Sequence, residues 1–246
     1  MVKKKLLVLL FILLGFGICV QAQNPCQNKF LYGKPPVIEW PIKTVCFKDY
    51  AASFSDITLG NIYSAEFLTK NQVMASKNMK RYGKFDNRDP VVRDYRGSGF
   101  DRGHMTPSGD MPDYQSQVQT FISSNIVPQT KQLNSGKWNW IEHNVRKMAI
   151  SYDQLYVITG SYFQEPVKRI GYDGVWVPYA VWKAVYIPSL KKGGVYFCKN
   201  SHRPVCYRMS IAFFINKTGI DPFPALSNDI KENKFPLPKP VRPRVK

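Results

Sequence analysis

The strongest constraint on this chain is a helical stripe in residues 134–152. Trp138, Ile141, Val145, Met148 and Ala149 recur at helical spacing. Asn134 or Ser135 can cap the start, and Glu142 and Arg146 lie four apart on one face. Asn134, Trp138, Glu142 and Arg146 then form an i+4 ladder, which in isolation fits a surface ion pair with a cap residue equally well. Elsewhere the pattern changes. Residues 44–47 and 62–68 alternate apolar with polar, as half-buried strands do. Residues 155–159, 175–187 and 195–198 read as further strands or a hairpin, 115–121 as a short helix and 227–233 as a last helical turn. Residues 207–215 fit strand or helix.

A second feature sits before that helix. Asp101-Arg-Gly-His-Met-Thr-Pro-Ser-Gly-Asp110 carries one of the three histidines of the chain. Imidazole takes up a proton near neutral pH. A guanidinium holds phosphate without acting as a base, and Gly103 leaves room for a phosphate backbone. The decapeptide thus reads as a general base beside an anion site, or as an Asp–Arg pair on a turn with an incidental histidine. Residues 78–100, just upstream, are turn-rich and carry Lys80, Arg81, Lys84, Arg88, Arg93 and Arg96. That density of cations suits a wall that tracks phosphates, although a solvated loop explains any one of them.

Composition adds a compartment and a partner. Lys3–Lys5 followed by the apolar run 6–20 and Val20-Gln21-Ala22 resemble a signal peptide over residues 1–22, with cleavage near Ala22. The chain is then expected to be secreted or periplasmic, with no stable membrane insertion. The remaining cysteines are Cys26, Cys46, Cys198 and Cys206. Four cysteines in an exported chain suggest two disulfides, and proximity favours Cys26–Cys46 and Cys198–Cys206 among three pairings. The net charge of +18 falls to about +15 once Lys3, Lys4 and Lys5 are gone, which calls for a polyanionic partner. An irregular arm is expected over residues 23–49. A basic, proline-rich tail over 235–246 should be extended and mobile.

The blocks taken together resemble a known family. Tyr95–Phe100 and Asp101-Arg-Gly-His104, Ser124–Gln129, Leu133-Asn134 with Trp138, Glu142 and Arg146, then Val157–Gly160 and Val177–Lys183 are similar to the ordered motifs of the DNA/RNA non-specific endonucleases, the endonuclease G-like group with a ββα-metal active site. The likeness runs from about residue 50 to 220, inside a nuclease domain placed at 50–234. Ser161 departs from a proline common in the family after Thr-Gly, which puts a loop conformation in doubt.

The resemblance implies an α+β fold with a central antiparallel sheet flanked by helices. It implies hydrolysis of DNA and RNA phosphodiesters, with His104 as base and Asn125 holding its ring. Asn134 would be the direct ligand of Mg²⁺ (Mn²⁺ as a substitute), and Glu142 would order the metal's water. Arg102 and Arg146 would grip phosphate together with an upstream arginine, where Arg81 is preferred over Arg88 and Arg93. Asp101 is read as structural, holding Arg102 and His104. His143 and His202 receive no role. A homodimer or an acidic inhibitor protein are the partners to look for besides nucleic acid. Rival readings are an inactive polyanion-binding module on the same fold, and an antibacterial nuclease toxin with a dedicated inhibitor.

Overall fold

The computed structural model describes residues 26–242. The leader expected over residues 1–22, with its expected cleavage near Ala22, and residues 243–246 lie outside that range. β1 (Lys43–Cys46) and β2 (Tyr50–Ser55) form a hairpin in register from Lys43↔Phe54 to Cys46↔Ala51, and β3 (Gly60–Thr69) pairs with β2 across a bulge at Ser53/Phe54. α1 (Lys70–Ser76) starts where Thr69 and Gln72 cap each other: the Gln72 N–H donates to Thr69 Oγ1 and the Thr69 N–H to Gln72 Oε1. α2 (Pro90–Arg93) is one turn, with Asp89 as its cap and proline at its first position.

β4 (Asp101–His104) is followed by α3 (Tyr114–Gln119) and β5 (Ile126–Gln129). β4 and β5 pair antiparallel, Asp101 opposite Gln129 and His104 opposite Ile126. α4 (Asn139–Tyr152) completes the ββα unit. β6 (Gln154–Tyr162) returns to the main sheet, β7 (Arg169–Ile170) and β8 (Val175–Trp176) make a small ribbon, and β9 (Ala180–Ile187), β10 (Lys192–Lys199) and β11 (Cys206–Met209) finish the sheet. α5 (Ile211–Thr218) is capped by Ser210 and stopped by Gly219 at φ 73°, and α6 (Asn228–Glu232) follows. The sheet runs β1-β2-β3-β6-β9-β10-β11, antiparallel throughout.

Strand alternation gives the sheet two covered faces. Along β9, Ala180, Trp182, Ala184 and Tyr186 enter one core with Ile211 and Phe214 of α5. Val181, Val185 and Ile187 enter the other, with Ile141, Val145, Met148 and Ala149 of α4. The fold is therefore α+β, a central antiparallel sheet between helices. Gly160 permits one close approach: a Cβ there would lie 2.1 Å from the Trp182 ring. Ser161, the departure from the family pattern, stays within β6, where its hydroxyl donates to the Asn61 carbonyl at 2.9 Å.

Several expectations are adjusted. The helix starts at Asn139, five residues later than the stripe suggests. Leu133–Trp138 is a wide π-turn in which Gly136 takes φ −107°, ψ −110°, so neither Asn134 nor Ser135 is its cap. Residues 207–215 divide into strand and helix at Ser210. The arm is no loose segment: Cys26, Phe30 and Leu31 are in the core, and β1 is a sheet strand. The tail is extended but docked, with Phe235 and Leu237 buried and the Phe235 N–H donating to the Gly193 carbonyl. Both disulfides pair as proximity favours, with Cα atoms 5.3 and 4.1 Å apart.

Candidate active site

His104 ends β4, where pairing with Ile126 fixes its backbone. Its ring is buried at 9% exposure between two aromatic walls, with centroids of Phe121 at 4.8 Å and Phe85 at 5.3 Å. Nε2 is buried without a partner, and the residue lines the adjoining cavity. Burial, reinforced by the charge of Arg81, holds the imidazole far below its usual range, to about 3. The surroundings thus favour the neutral imidazole over the imidazolium.

Asn125 does not hold that ring. Its amide is saturated elsewhere: Oδ1 accepts from the Thr106 N–H (3.0 Å) and Ser64 Oγ (3.1 Å), and Nδ2 donates to the carbonyls of Thr106 (2.9 Å) and Thr120 (3.0 Å). Its own carbonyl accepts from the Met105 N–H. Asn125 therefore clamps the chain leaving His104 and fixes the imidazole through the backbone. Gly103 differs from expectation too. The space its missing Cβ leaves is filled by the Gln129 side chain, 2.3 Å from where a Cβ would stand, and not open to a phosphate.

A cavity of ≈ 410 Å³ gathers Arg81, Arg102, His104, Asn134, Glu142 and Arg146. Every residue singled out for chemistry lines it except Asn125, which lies beneath. Of the upstream arginines, Arg81 lines the cavity, packed 5.0 Å above the Phe121 ring. Arg88 is instead paired with Asp86 at the surface, 2.8 Å away, and Arg93 is exposed outside the lining.

Arg102 spends Nε and Nη2 on the Val92 carbonyl (3.2 and 2.9 Å) and lies against Phe85 and Tyr95. Asp101 does not pair with it. Asp101 Oδ2 accepts from Asn134 Nδ2 at 3.0 Å, so the Asn134 amide presents its oxygen to the cavity. Arg146 donates to Asp110 Oδ1 at 2.7 Å, with side-chain exposures of 17% and 1%. Burial pushes the half-buried Glu142 carboxyl up to about 7, against the pull of Lys183 and Arg146.

Below the cavity lies a layer that sequence reading missed. Glu66 on β3 is 2% exposed with neither carboxylate oxygen partnered, and burial with the nearby Asp110 raises its pKa well above the usual range. Lys183 on β9 is 1% exposed and donates to Thr159 Oγ1 and to the Met105 carbonyl. The available signal was a charge inside an otherwise apolar strand, and an acid, Asp110, closing the decapeptide. His143 Nδ1 donates to the Asn139 carbonyl at 2.8 Å on the exposed side of α4, and His202 contacts Gln132, so neither enters the site.

The donor set tests what cation could bind. One free amide oxygen, from Asn134, and one nearby carboxylate, from Glu142, suit an ion that keeps most of its water, as Mg²⁺ does. Among the described residues no group of three or more His, Cys, Asp or Glu is placed to hold a metal, so a site built mainly from such side chains does not fit.

Comparison with known proteins agrees with this geometry. The chain is 29% identical to human mitochondrial nuclease EXOG over 157 residues, 57% of this chain and 43% of that one. It is 34% identical over 150 residues to nuclease C1 of Cunninghamella echinulata, 52% and 58% of the two chains. Human endonuclease G matches at 44% over 71 residues, 28% of this chain and 24% of that one. The chain thus spans between 24% and 58% of the length of these relatives. In structure it resembles a chain of the EndoG/EndoGI complex, with a TM-score of 0.65, 24% identity, and coverage of 81% and 91%; that likeness supports the ββα-metal fold. The model of the DNA/RNA non-specific endonucleases matches residues 37–229, and the chain belongs to that family.

Proposed function

We propose that the protein is an exported, Mg²⁺-dependent endonuclease that hydrolyses DNA and RNA with little regard for sequence. The observation that carries this is the convergence of a neutral imidazole, three arginines, an amide oxygen and a carboxylate on one cavity. His104 takes the proton of the attacking water, its ring held by aromatic walls and a backbone clamped by Asn125. Arg81 and Arg146 bind non-bridging oxygens of the phosphate, with the free edge of Arg102 beside them. Asn134, aimed by Asp101, and Glu142 would hold the Mg²⁺ and its water. The bound ion would stabilise charge on the leaving 3′-oxygen. All these groups address phosphate and none a base edge, which supports weak sequence preference. Export follows from the leader, and the excess of cations draws in the polyanion, so salt should weaken binding steeply. An acidic inhibitor protein is a fitting partner, since the structural relative was solved with EndoGI.

The test is digestion of plasmid and RNA by the mature protein with Mg²⁺, with EDTA, and by His104→Ala. Cleavage should need Mg²⁺ and fall by about 10²-fold or more in His104→Ala. Intact substrates with Mg²⁺, or an unimpaired His104→Ala, would overturn the assignment. Tight binding without cleavage would favour the inactive polyanion-binding module.

A further inference from the structure

One rim of the cavity carries two tyrosines that the proposed chemistry does not use. Tyr82 and Tyr114 are 59% and 52% exposed. Their ring centroids are 5.2 Å apart with planes at 64°. Large aromatics at such exposure, side by side, are an apolar patch that a soluble surface normally avoids.

The pair is held rigidly to the site. The Tyr82 N–H donates to Gln117 Oε1 at 2.8 Å, and Gln117 is buried and lines the cavity. Tyr82 also follows Arg81, which is packed on Phe121. Gly83 takes φ +138°, and a Cβ there would lie 2.3 Å from the Phe121 ring, so the turn is locked against the wall of the His104 pocket. Tyr114 opens α3, whose cap Asp113 accepts from the Ser116 N–H and pairs with Lys48 at 2.6 Å. Lys80 and Lys84, both exposed, flank Tyr82 in the sequence.

Two rings form too small a surface for a protein partner, which needs about 1,000 Å². They are the size of a nucleobase, and Tyr82 directly follows Arg81, a lining residue of the cavity. A base offers its face only when it is out of a duplex stack, and aromatic stacking tolerates any base. We propose that Tyr82 and Tyr114 form a nucleobase-stacking subsite that favours unpaired strands at the mouth of the hydrolytic cavity. This rests on the assignment of that cavity to phosphodiester hydrolysis.

The test is equilibrium binding, measured in EDTA by fluorescence anisotropy on the full mature chain. The probes are a short labelled DNA strand, the same strand with abasic sugars in place of bases, and a blunt duplex. The strand with bases should bind about tenfold tighter than the abasic one. Tyr82→Ala/Tyr114→Ala should erase that gap while leaving abasic and duplex affinities unchanged, and Tyr82→Phe/Tyr114→Phe should keep it. Equal binding of both strands by the parent, or a gap that survives the alanine pair, would overturn the subsite and leave the hydrolytic assignment standing. If the parent binds none of the probes, the hydrolytic assignment fails and the subsite with it.

Discussion

Replacing Arg146 by methionine should separate its structural work from its chemical work. Arg146 is the buried counter-charge of Asp110, whose side chain is 1% exposed and whose Oδ2 has no partner. Arg146→Met removes the charge with little loss of volume and strands that carboxylate. Breaking a buried pair in this way costs about 3–5 kcal/mol. The 17% exposure of Arg146 lets water reach the vacated end, so the low end, about 3 kcal/mol, is expected. For a chain of this size that is a fall in Tm of about 6–12 °C. Asp110→Asn added to Arg146→Met removes the stranded charge and should recover more than half of that loss. Activity should behave differently. Loss of a preorganised donor to the transition-state phosphate costs about 10²-fold in rate, and the double variant supplies no replacement. Thermal unfolding by circular dichroism in EDTA, with plasmid cleavage rates well below every Tm, reads both. If the double variant is no more stable than Arg146→Met, Asp110 is not the group that Arg146 neutralises. If the double variant regains activity, Arg146 does not touch the phosphate.

Two further outcomes concern protons and the tail. His104 has its folded pKa depressed from 6.5 to about 3, so the unfolded chain binds the proton first. Its contribution to stability is present above about pH 6.5 and is lost as pH falls toward 3. Glu142 is raised from 4.5 to about 7, so its contribution is present below about pH 4.5 and lost as pH rises through 7. In EDTA, Glu142→Gln should therefore gain about 1–2 kcal/mol over the parent at pH 8 and none at pH 4, the full shift being discounted for water in the cavity. A pH-independent difference in Tm between the two proteins would refute this, and a loss of activity near pH 6 would be assigned to Glu142 and not to His104. Leu237 is 1% exposed and packs with Phe235 under the α4 face, so Leu237→Ala should destabilise by about 2–4 kcal/mol. A change in chemical-denaturation stability below about 0.5 kcal/mol would show that the tail is not docked in solution.

What could be read from the sequence follows the range of the contacts. The apolar stripe of α4 repeats locally, and Glu142 and Arg146 fall on the cavity side once that stripe is buried. The start of the helix could not be read, because Gly136 permits a π-turn that propensity does not distinguish from helix. Asn134 is aimed by Asp101 across 33 positions of sequence, a bond no spacing announces. Asn125 was placed near His104 correctly but given the wrong bond, since only the fold shows its amide occupied by Thr106, Thr120 and Ser64. The tail looked mobile because prolines surround Phe235 and Leu237, although two apolar side chains are enough to seat it beside β10.

The missed layer under the cavity has a physical logic of its own. A row of apolar side chains on the α4 face of β3, β6 and β9 would pack with less penalty than Glu66, Thr159 and Lys183 do. Instead, Glu66 Oε1 and Oε2 and Asp110 Oδ2 are buried without partners, and buried polar groups are rarely left so. Glu66, Asp110 and Glu142 lie among Arg146, Lys183 and Arg81, a buried mixed-charge cluster inside a chain whose net charge is +18. Most cations are spread over the surface, while the carboxyl groups of Glu66, Asp110 and Glu142 gather around Arg146 and Lys183. Carboxyl groups there would favour a bound cation at the Asn134–Glu142 corner, and burial holds the carboxyls of Glu142 and Glu66 above their usual range. The same groups that lower the stability of the metal-free chain are those that would make the corner selective for a hydrated divalent ion.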